Sequence, residues 1–416
     1  MRRTAKKTLA ATVAVVLLAL SGKFVLLRVK EPEIPDEAPQ ATPRNAPRPL
    51  GNDIPDTGNW NTYHGDAALR GVADASFPDT LDVWWRFMAG GPVRQTPVAE
   101  GGRIFAATAH GVVHALDMHG GLLWSRAIQT EATPEQPARD AEIESPIACF
   151  GGSVLAGTYE GLVVCLDAES GAERWRAHVE SGLLGAINYA GAGDRARVFV
   201  LEQPTGAPVC LDAATGAVVW RGEEVGRSDA SPAVNARVLV FGSCAAALHA
   251  FDPETGKKLR DLEIDPDSQV AGGVALLDTR VVSGCRRGKV FEADWESGAF
   301  LWTNTDSGGE VFTTPAVTDA WVIACSYDGF IYGLDRVSGM ARWKYETQGL
   351  PSSAVVAGDK VIVSVDGELA MFRLATGEKV FSYHVSDLIT SPAVTQRRIL
   401  VGSEDGTVVA FGAVSP

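Results

Sequence analysis

One phrase recurs along this chain about every forty residues: an apolar strand ending in Asp, a short loop, a small residue with Gly, a spacer and an aromatic residue. It stands as Leu166-Asp167-Ala168-Glu169-Ser170-Gly171 with Trp175, as Leu211-Asp212 with Thr215-Gly216 and Trp220, and as Leu334-Asp335 with Ser338-Gly339 and Trp343. The Asp position recurs at 117, 167, 212, 252, 294 and 335 and is taken by Arg373 in the seventh copy; a truncated unit ends at Phe411-Gly412. A repeat of this length built only from strands is the signature of a propeller, whose blades acquire a core only by stacking on one another.

Two further landmarks divide the unit into four strands. Six residues before the Asp position stands a Gly (Gly111, Gly161, Gly206, Gly288, Gly329, Gly367, Gly406), broken only by Ala246. Three of these are Asp-Gly pairs (Asp328-Gly329, Asp366-Gly367, Asp405-Gly406), which predict type I′ hairpin turns with positive φ at both central residues. Earlier in the unit, Thr96-Pro97, Ser145-Pro146, Ser231-Pro232, Thr314-Pro315 and Ser391-Pro392 mark a strand start, where proline forfeits no ladder bond. The Thr/Ser-Gly pair after the Asp supplies the left-handed residue that a bulged hairpin needs.

The last unit lacks a fourth strand, and the N-terminal side has a spare one, Val83-Trp84-Trp85-Arg86. Trp85 precedes Asp117 by 32 residues, the interval from Trp220 to Asp252. The expected fold is therefore all-β: an eight-bladed β-propeller of four-stranded blades, closed by pairing this N-terminal strand with the C-terminal strands, which leaves no open sheet edge at the seam. The repeated Trp residues should fill the space between blades, and Arg260 in place of one of them predicts a weaker, more open contact there. The divergent seventh unit, with Arg373 and Phe381, is the weakest part of the pattern. The unit between Asp117 and Asp167 carries an insertion at 129–141, and the next a Gly-Ala loop at 191–197; inserted loops on a rigid scaffold are where contacts concentrate, which makes 129–141 a candidate contact region.

Before the repeats the chain divides into residues 1–27, a signal peptide or transmembrane anchor, and 28–58, a Pro-rich linker; residues 59–416 are the propeller. Basic residues precede the apolar run from Leu9 to Gly22, and apolar sequence resumes after Lys23 at Phe24-Val25-Leu26-Leu27. Cleavage after Ala19-Leu20-Ser21 and retention as an anchor with Lys23 at the interface both fit this pattern. Lys23 stands where a bacterial lipoprotein would carry its acylated Cys. Either reading exports the remainder to a bacterial periplasm, and in the anchor reading one N-terminal segment holds it to the inner membrane. Beyond residue 30 there remain 30 basic and 51 acidic residues, a net of −21, which disfavours nucleic acid and anionic lipid as partners. The six cysteines form no adjacent or C-x-x-C pair, and Cys165 and Cys210 occupy equivalent strand positions, as small buried apolar residues would.

No catalytic, cofactor-binding or metal-ligating residue is nominated. His110, His114 and His119 are near in sequence, but two flank a strand and one lies within it, which suits ordinary loop and strand positions better than a metal site. Gly191-Ala192-Gly193-Asp194-Arg195-Ala196 imitates a dinucleotide fingerprint yet sits between strands and opens no helix. The Asp residues recur too often to be catalytic; each is expected to accept backbone N–H groups of its own turn.

Val113-His114-Ala115-Leu116-Asp117 and Leu211-Asp212-Ala213-Ala214-Thr215-Gly216 with Trp220 resemble the pyrroloquinoline quinone (PQQ) enzyme repeat, and Trp60-Asn61-Thr62-Tyr63-His64-Gly65-Asp66 resembles the Trp motif that opens such proteins. The resemblance implies one of two branches. Quinoprotein dehydrogenases are longer, bind PQQ with calcium and often set a pair of adjacent cysteines against the cofactor, a pair this chain lacks. The other branch is BamB-like and non-catalytic, and is matched in length, blade count and address. On this resemblance the chain is a membrane-tethered extracytoplasmic scaffold for protein–protein interaction, with protein partners in a membrane-associated assembly complex, no enzyme activity and no cofactor. The alternatives are a small-ligand or glycan-binding sensor that uses the channel mouth, and a PQQ-dependent oxidoreductase.

Overall fold

The computed structural model describes residues 58–414 except 133, 135, 136 and 396, all within one compact unit spanning 47–416. The signal or anchor segment and all of the linker but Gly58 lie outside the described residues.

Eight sheets form eight blades, each a meander of four strands. Blade 1 is Val98–Glu100, Arg103–Ala107, Val112–Asp117 and Leu122–Ala127. Blades 2 to 7 follow over 148–178, 188–221, 233–263, 275–304, 316–346 and 355–384. Blade 8 takes Ala393–Val394, Ile399–Gly402 and Thr407–Ala413 from the C-terminus, and its fourth strand is Leu81–Met88. The closing register pairs Val83 with Phe411 and Trp85 with Ala410, across a bulge. The clasp expected from the spacing of Trp85 is the one that closes the ring. A single 3-10 turn, Gly193–Arg195, is the sole helical element among the described residues, and the fingerprint-like segment holds it without opening a helix.

Among the described residues the apolar core is divided between the blades. Buried apolar side chains form clusters between neighbouring blades, such as Val98, Phe105 and Ala115 with Ile147, Val154 and Val164 between blades 1 and 2. The repeated phrase makes these contacts. Each Asp fastens the turn that follows: Asp167 Oδ1 accepts the N–H groups of Glu169 and Ser170, and Asp212 Oδ1 those of Ala214 and Thr215. Each Trp crosses to the next blade and lies on that blade's turn glycine. The indole N–H groups of Trp85, Trp124, Trp175, Trp220, Trp302 and Trp343 donate to the carbonyls of Met118, Ala168, Ala213, Pro253, Arg336 and Leu374, at 2.7 to 3.1 Å. The glycine is thus fixed twice. Gly171 has φ +69°, and a Cβ there would stand 2.7 Å from the Trp124 ring.

Two expectations need correction. The contact at Arg260 is not open: the guanidinium occupies the place of the indole, so that a Cβ on Gly298 would stand 2.9 Å from Arg260 Nη1. The Asp-Gly hairpins are not type I′ either, because only one residue of each has positive φ: Gly329 (+83°), Gly406 (+85°) and Asp366 (+47°). In blades 6 and 8 the Gly N–H bonds the carbonyl three residues back, Ser326 or Ser403, which makes a type I turn followed by a left-handed glycine. A Ser or Thr at the turn start accepts a second N–H, as Thr108 does from Val112 and Ser403 from Thr407, and this extra bond favours the longer loop.

All six cysteines are free thiols, five of them buried and Cys244 exposed. Burial pushes the Cys210 thiol up to about 12 and also raises Cys149, Cys165 and Cys325.

Candidate functional site

Strand direction gives the disc two unlike faces. The first–second and third–fourth turns of every blade emerge on one, called here the turn face. The second–third turns and the connections between blades emerge on the other, the loop face. What distinguishes the two at the centre is the segment before the first blade.

Residues 60–73 run around the inside of the ring. The backbone N–H groups of Ala99, Cys149, Val234, Leu276, Val317 and Val356, each on the first strand of a different blade, donate to the carbonyls of Trp60, Asn61, Ala67, Ala68, Arg70 and Gly71 at 2.7 to 2.8 Å. Blade 3 joins through its side chain: Asn188 Nδ2 donates to the Ala67 carbonyl at 2.8 Å. Val72–Ala73 then add as a fifth strand, parallel to Val355–Ala357 of blade 7. Four of these partners are the middle residue of a three-residue first strand and two are the last residue of a shorter one, and Ala68 and Arg70 line a cleft with first–second turn residues, so the segment is a stopper toward the turn face. Its side chains bond the blades around it. Thr62 Oγ1 donates to the Ile187 carbonyl at 2.7 Å, Tyr63 Oη lies 2.7 Å from Ser353 Oγ and 3.2 Å from Thr314 Oγ1, and the two ring nitrogens of His64 lie 2.8 Å from the Leu69 and Ala354 carbonyls.

Tyr63 ends at a belt that the sequence half disclosed. The Ser and Thr before the strand-opening positions link neighbouring blades: Thr96 Oγ1 donates to the Ser391 carbonyl, Ser145 Oγ to that of Gly185, while Ser231 Oγ, Thr314 Oγ1 and Ser353 Oγ accept the N–H groups of Ala186, Gly273 and Thr314. The proline was legible as a strand start. The hydroxyl beside it is what ties one blade to the next.

Around this belt the loop face exposes a mixed surface. Arg94 bridges Glu404 of blade 8 at 2.9 Å and Glu144 before blade 2 at 3.2 Å, and the two carboxylates hold its guanidinium firmly charged. Arg227 pairs with Asp229 at 3.1 Å. Arg286 pairs with Glu310 at 3.4 Å and lies over the Phe312 ring, which in turn meets Tyr327 edge-on. Between these pairs stand Tyr159, Tyr327, Leu350 and Leu388, each about half exposed (47 to 53%). The 129–141 insertion opens on the same face, anchored by bonds between Thr130 and Arg139. Other exposed apolar residues lie on the outer strands (Leu122, Leu123, Phe300 and Leu301), in the third–fourth turn of blade 6 on the turn face (Val337 and Met340) and on the stopper (Val72).

Side chains with catalytic types do meet in one place. In blade 4, Ser243 Oγ lies 2.7 Å from His249 Nε2, and His249 Nδ1 lies 2.7 Å from Asp261 Oδ1. This reproduces the distances of a Ser-His-Asp row. Ser243 is fully buried, however, and its oxygen accepts the Ala245 N–H in the place where other blades use Ser or Thr to fasten the turn. The row presents no nucleophile to a substrate. Nothing in the spacing of Ser243, His249 and Asp261 disclosed it, because the contact is made across strands. The three histidines of blade 1 do not converge: His114 is buried against Ser125 Oγ and the Ala89 carbonyl, whereas His110 and His119 lie in turns on opposite faces. No group of three potential metal ligands occurs among the described residues. Thr62, Tyr63 and His64 at the centre are committed to bonds within the chain and supply no carboxylate for a calcium ion, which does not fit a quinone with calcium among them.

A family model described as outer membrane protein assembly factor BamB matches residues 109–270 and 245–415. The chain is 28% identical over 335 residues to the protein of that name from Xanthomonas campestris, covering 77% of this chain and 81% of that one. The crystal structure of BamB from Moraxella catarrhalis superposes with a TM-score of 0.67 at 21% identity, over 80% of this chain and all (100%) of that one. The quinohemoprotein alcohol dehydrogenase of Comamonas testosteroni is 28% identical, but over only 101 residues, 14% of its length.

Proposed function

This chain belongs to the family described as outer membrane protein assembly factor BamB, and from that membership we propose that it is an exported, membrane-tethered scaffold whose loop face docks a protein partner. The observation that carries the choice of face is the stopper. It lies toward the turn face and its carbonyls take N–H groups from six first strands, whereas the exposed aromatic side chains Tyr159 and Tyr327, with Leu350 and Leu388, stand among ion pairs on the other side. Apolar side chains set among paired charges suit a protein interface, in which aromatic anchors supply most of the affinity and peripheral ion pairs set the register. The chemistry is passive: a rigid ring presents loops, and nothing is turned over.

Residues 1–27 are the tether and 28–58 the spacer in this reading, which places the ring in the periplasm. The relatives' name supports a partner within an outer-membrane protein assembly complex. The test is affinity capture from crosslinked membranes. The double substitution Tyr327→Asp with Leu388→Asp is expected to lower partner recovery at least about tenfold without shifting the melting temperature, since both side chains are exposed. Equal recovery from both proteins would overturn the assignment of the face. Titration of PQQ and calcium into the purified chain is expected to produce no new absorbance band.

A further inference from the structure

On the turn face, between the stopper and blades 5 and 6, lies a cleft of about 530 Å³ with Ala68, Leu276 and Leu277 in its wall. Three guanidinium groups line it, Arg70 from the stopper, Arg280 from blade 5 and Arg336 from blade 6. Their charges are unequally matched. Arg70 is paired with Asp66 at 2.6 Å. Arg280 and Arg336 share a single carboxylate, the buried Glu292, at 3.3 and 3.4 Å. One buried negative charge therefore faces two positive ones. Their hydrogen-bonding capacity is also largely unspent. Each guanidinium carries five N–H donors, yet one is committed to Glu292 from each of Arg280 and Arg336, and Arg336 Nε is buried with no partner at all. A buried donor left unmet is costly unless a ligand or water meets it. Two acids also line the cleft. Asp278 is held by Arg237 at 3.3 Å, and Asp319 stands in the first–second turn of blade 6.

We propose that this cleft is an oxyanion site, taking a phosphate or carboxylate group on Arg70, Arg280 and Arg336. Forked donors from different elements converging on one space are the arrangement by which arginine recognises such groups. The site lies on the opposite face from the docking surface and does not depend on it.

Trp302 reports on the site directly, because its indole N–H bonds both Glu292 Oε2 (3.1 Å) and the Arg336 carbonyl (2.7 Å). The experiment follows the indole ¹H–¹⁵N resonances of the purified full chain during separate titrations with inorganic phosphate and with succinate at constant ionic strength. Saturable movement of the Trp302 resonance with either anion supports the proposal. A response to phosphate alone or to succinate alone assigns the ligand class. Arg70→Gln, at an exposed side chain that holds no part of a blade, is expected to weaken the response about tenfold, and Arg227→Gln on the loop face to leave it unchanged. No saturable movement with either anion, or an undiminished response in Arg70→Gln, would overturn the site whatever the fate of the docking surface.

Discussion

At the scale of single residues, the repeated phrase is a set of contacts between each blade and the next. Gly171 meets two demands, a left-handed backbone and the Trp124 ring at van der Waals range. Gly171→Ala is predicted to cost about 2–4 kcal/mol, by adding strain to a clash that the ring cannot relieve without leaving the Ala168 carbonyl. Chemical denaturation of the two proteins measures it; a loss below about 0.5 kcal/mol would show that the indole is free to move. The turn aspartates were legible in sequence because their bonds are local, within five residues of themselves, and the turn glycines because the same turn recurs from blade to blade. The Ser-His-Asp row and the interblade belt were not, since their partners lie on other strands or blades. Buried histidines give a second prediction. Burial holds His64, His114 and His249 below the usual imidazole value of about 6.5. The unfolded chain takes up protons at that pH which the folded chain refuses, so stability is full above about pH 6.5 and declines as the pH falls through it. The unfolding free energy should decrease between about pH 7.5 and pH 5.5, with a shallower slope in His114→Asn; an unchanged slope would remove His114 from the account.

At the scale of elements, two N-terminal pieces complete a ring that the repeats alone leave unfinished. The closing strand Leu81–Met88 was legible because Trp85 keeps the interval of the other blades. The stopper 60–73 was legible only as the Trp60–Asp66 motif and not as an element: it is used once, has no period, and meets the first strands through backbone carbonyls. Its role is testable at Gly71, where φ is +65° and a Cβ would run into the His64 ring. Gly71→Val should dislodge the C-terminal half of the stopper. The amides of Val317 and Val356, which donate to it, should then exchange faster by at least about tenfold, while amides in the second and third strands keep their protection. Uniform acceleration across the blades would mean that the stopper is part of the global fold instead of a separable element. Thiol chemistry probes the blades in the same way. Alkylation of the folded chain should label Cys244 alone, and all six cysteines should react after denaturation.

At the scale of the whole molecule, eight blades and one clasp could be counted from sequence, because each repeat restates the same interblade contact. Which face meets a partner could not be counted, since the loops that carry Arg94, Tyr159, Phe312 and Leu388 differ from blade to blade and come together only once the ring has closed. The distinction between the faces rests on the stopper, and the docking face is the central claim that follows from it. Site-specific photo-crosslinking of the full chain in its own membranes tests that claim most directly, with the photoreactive residue placed in turn at Tyr159, Tyr327 and Leu388 on the loop face and at Leu122 and Phe300 on the outer strands. The account predicts that the three loop-face positions yield adducts with one common protein and that the outer-strand positions do not. Adducts to that protein from Leu122 or Phe300, with none from the loop face, would contradict it.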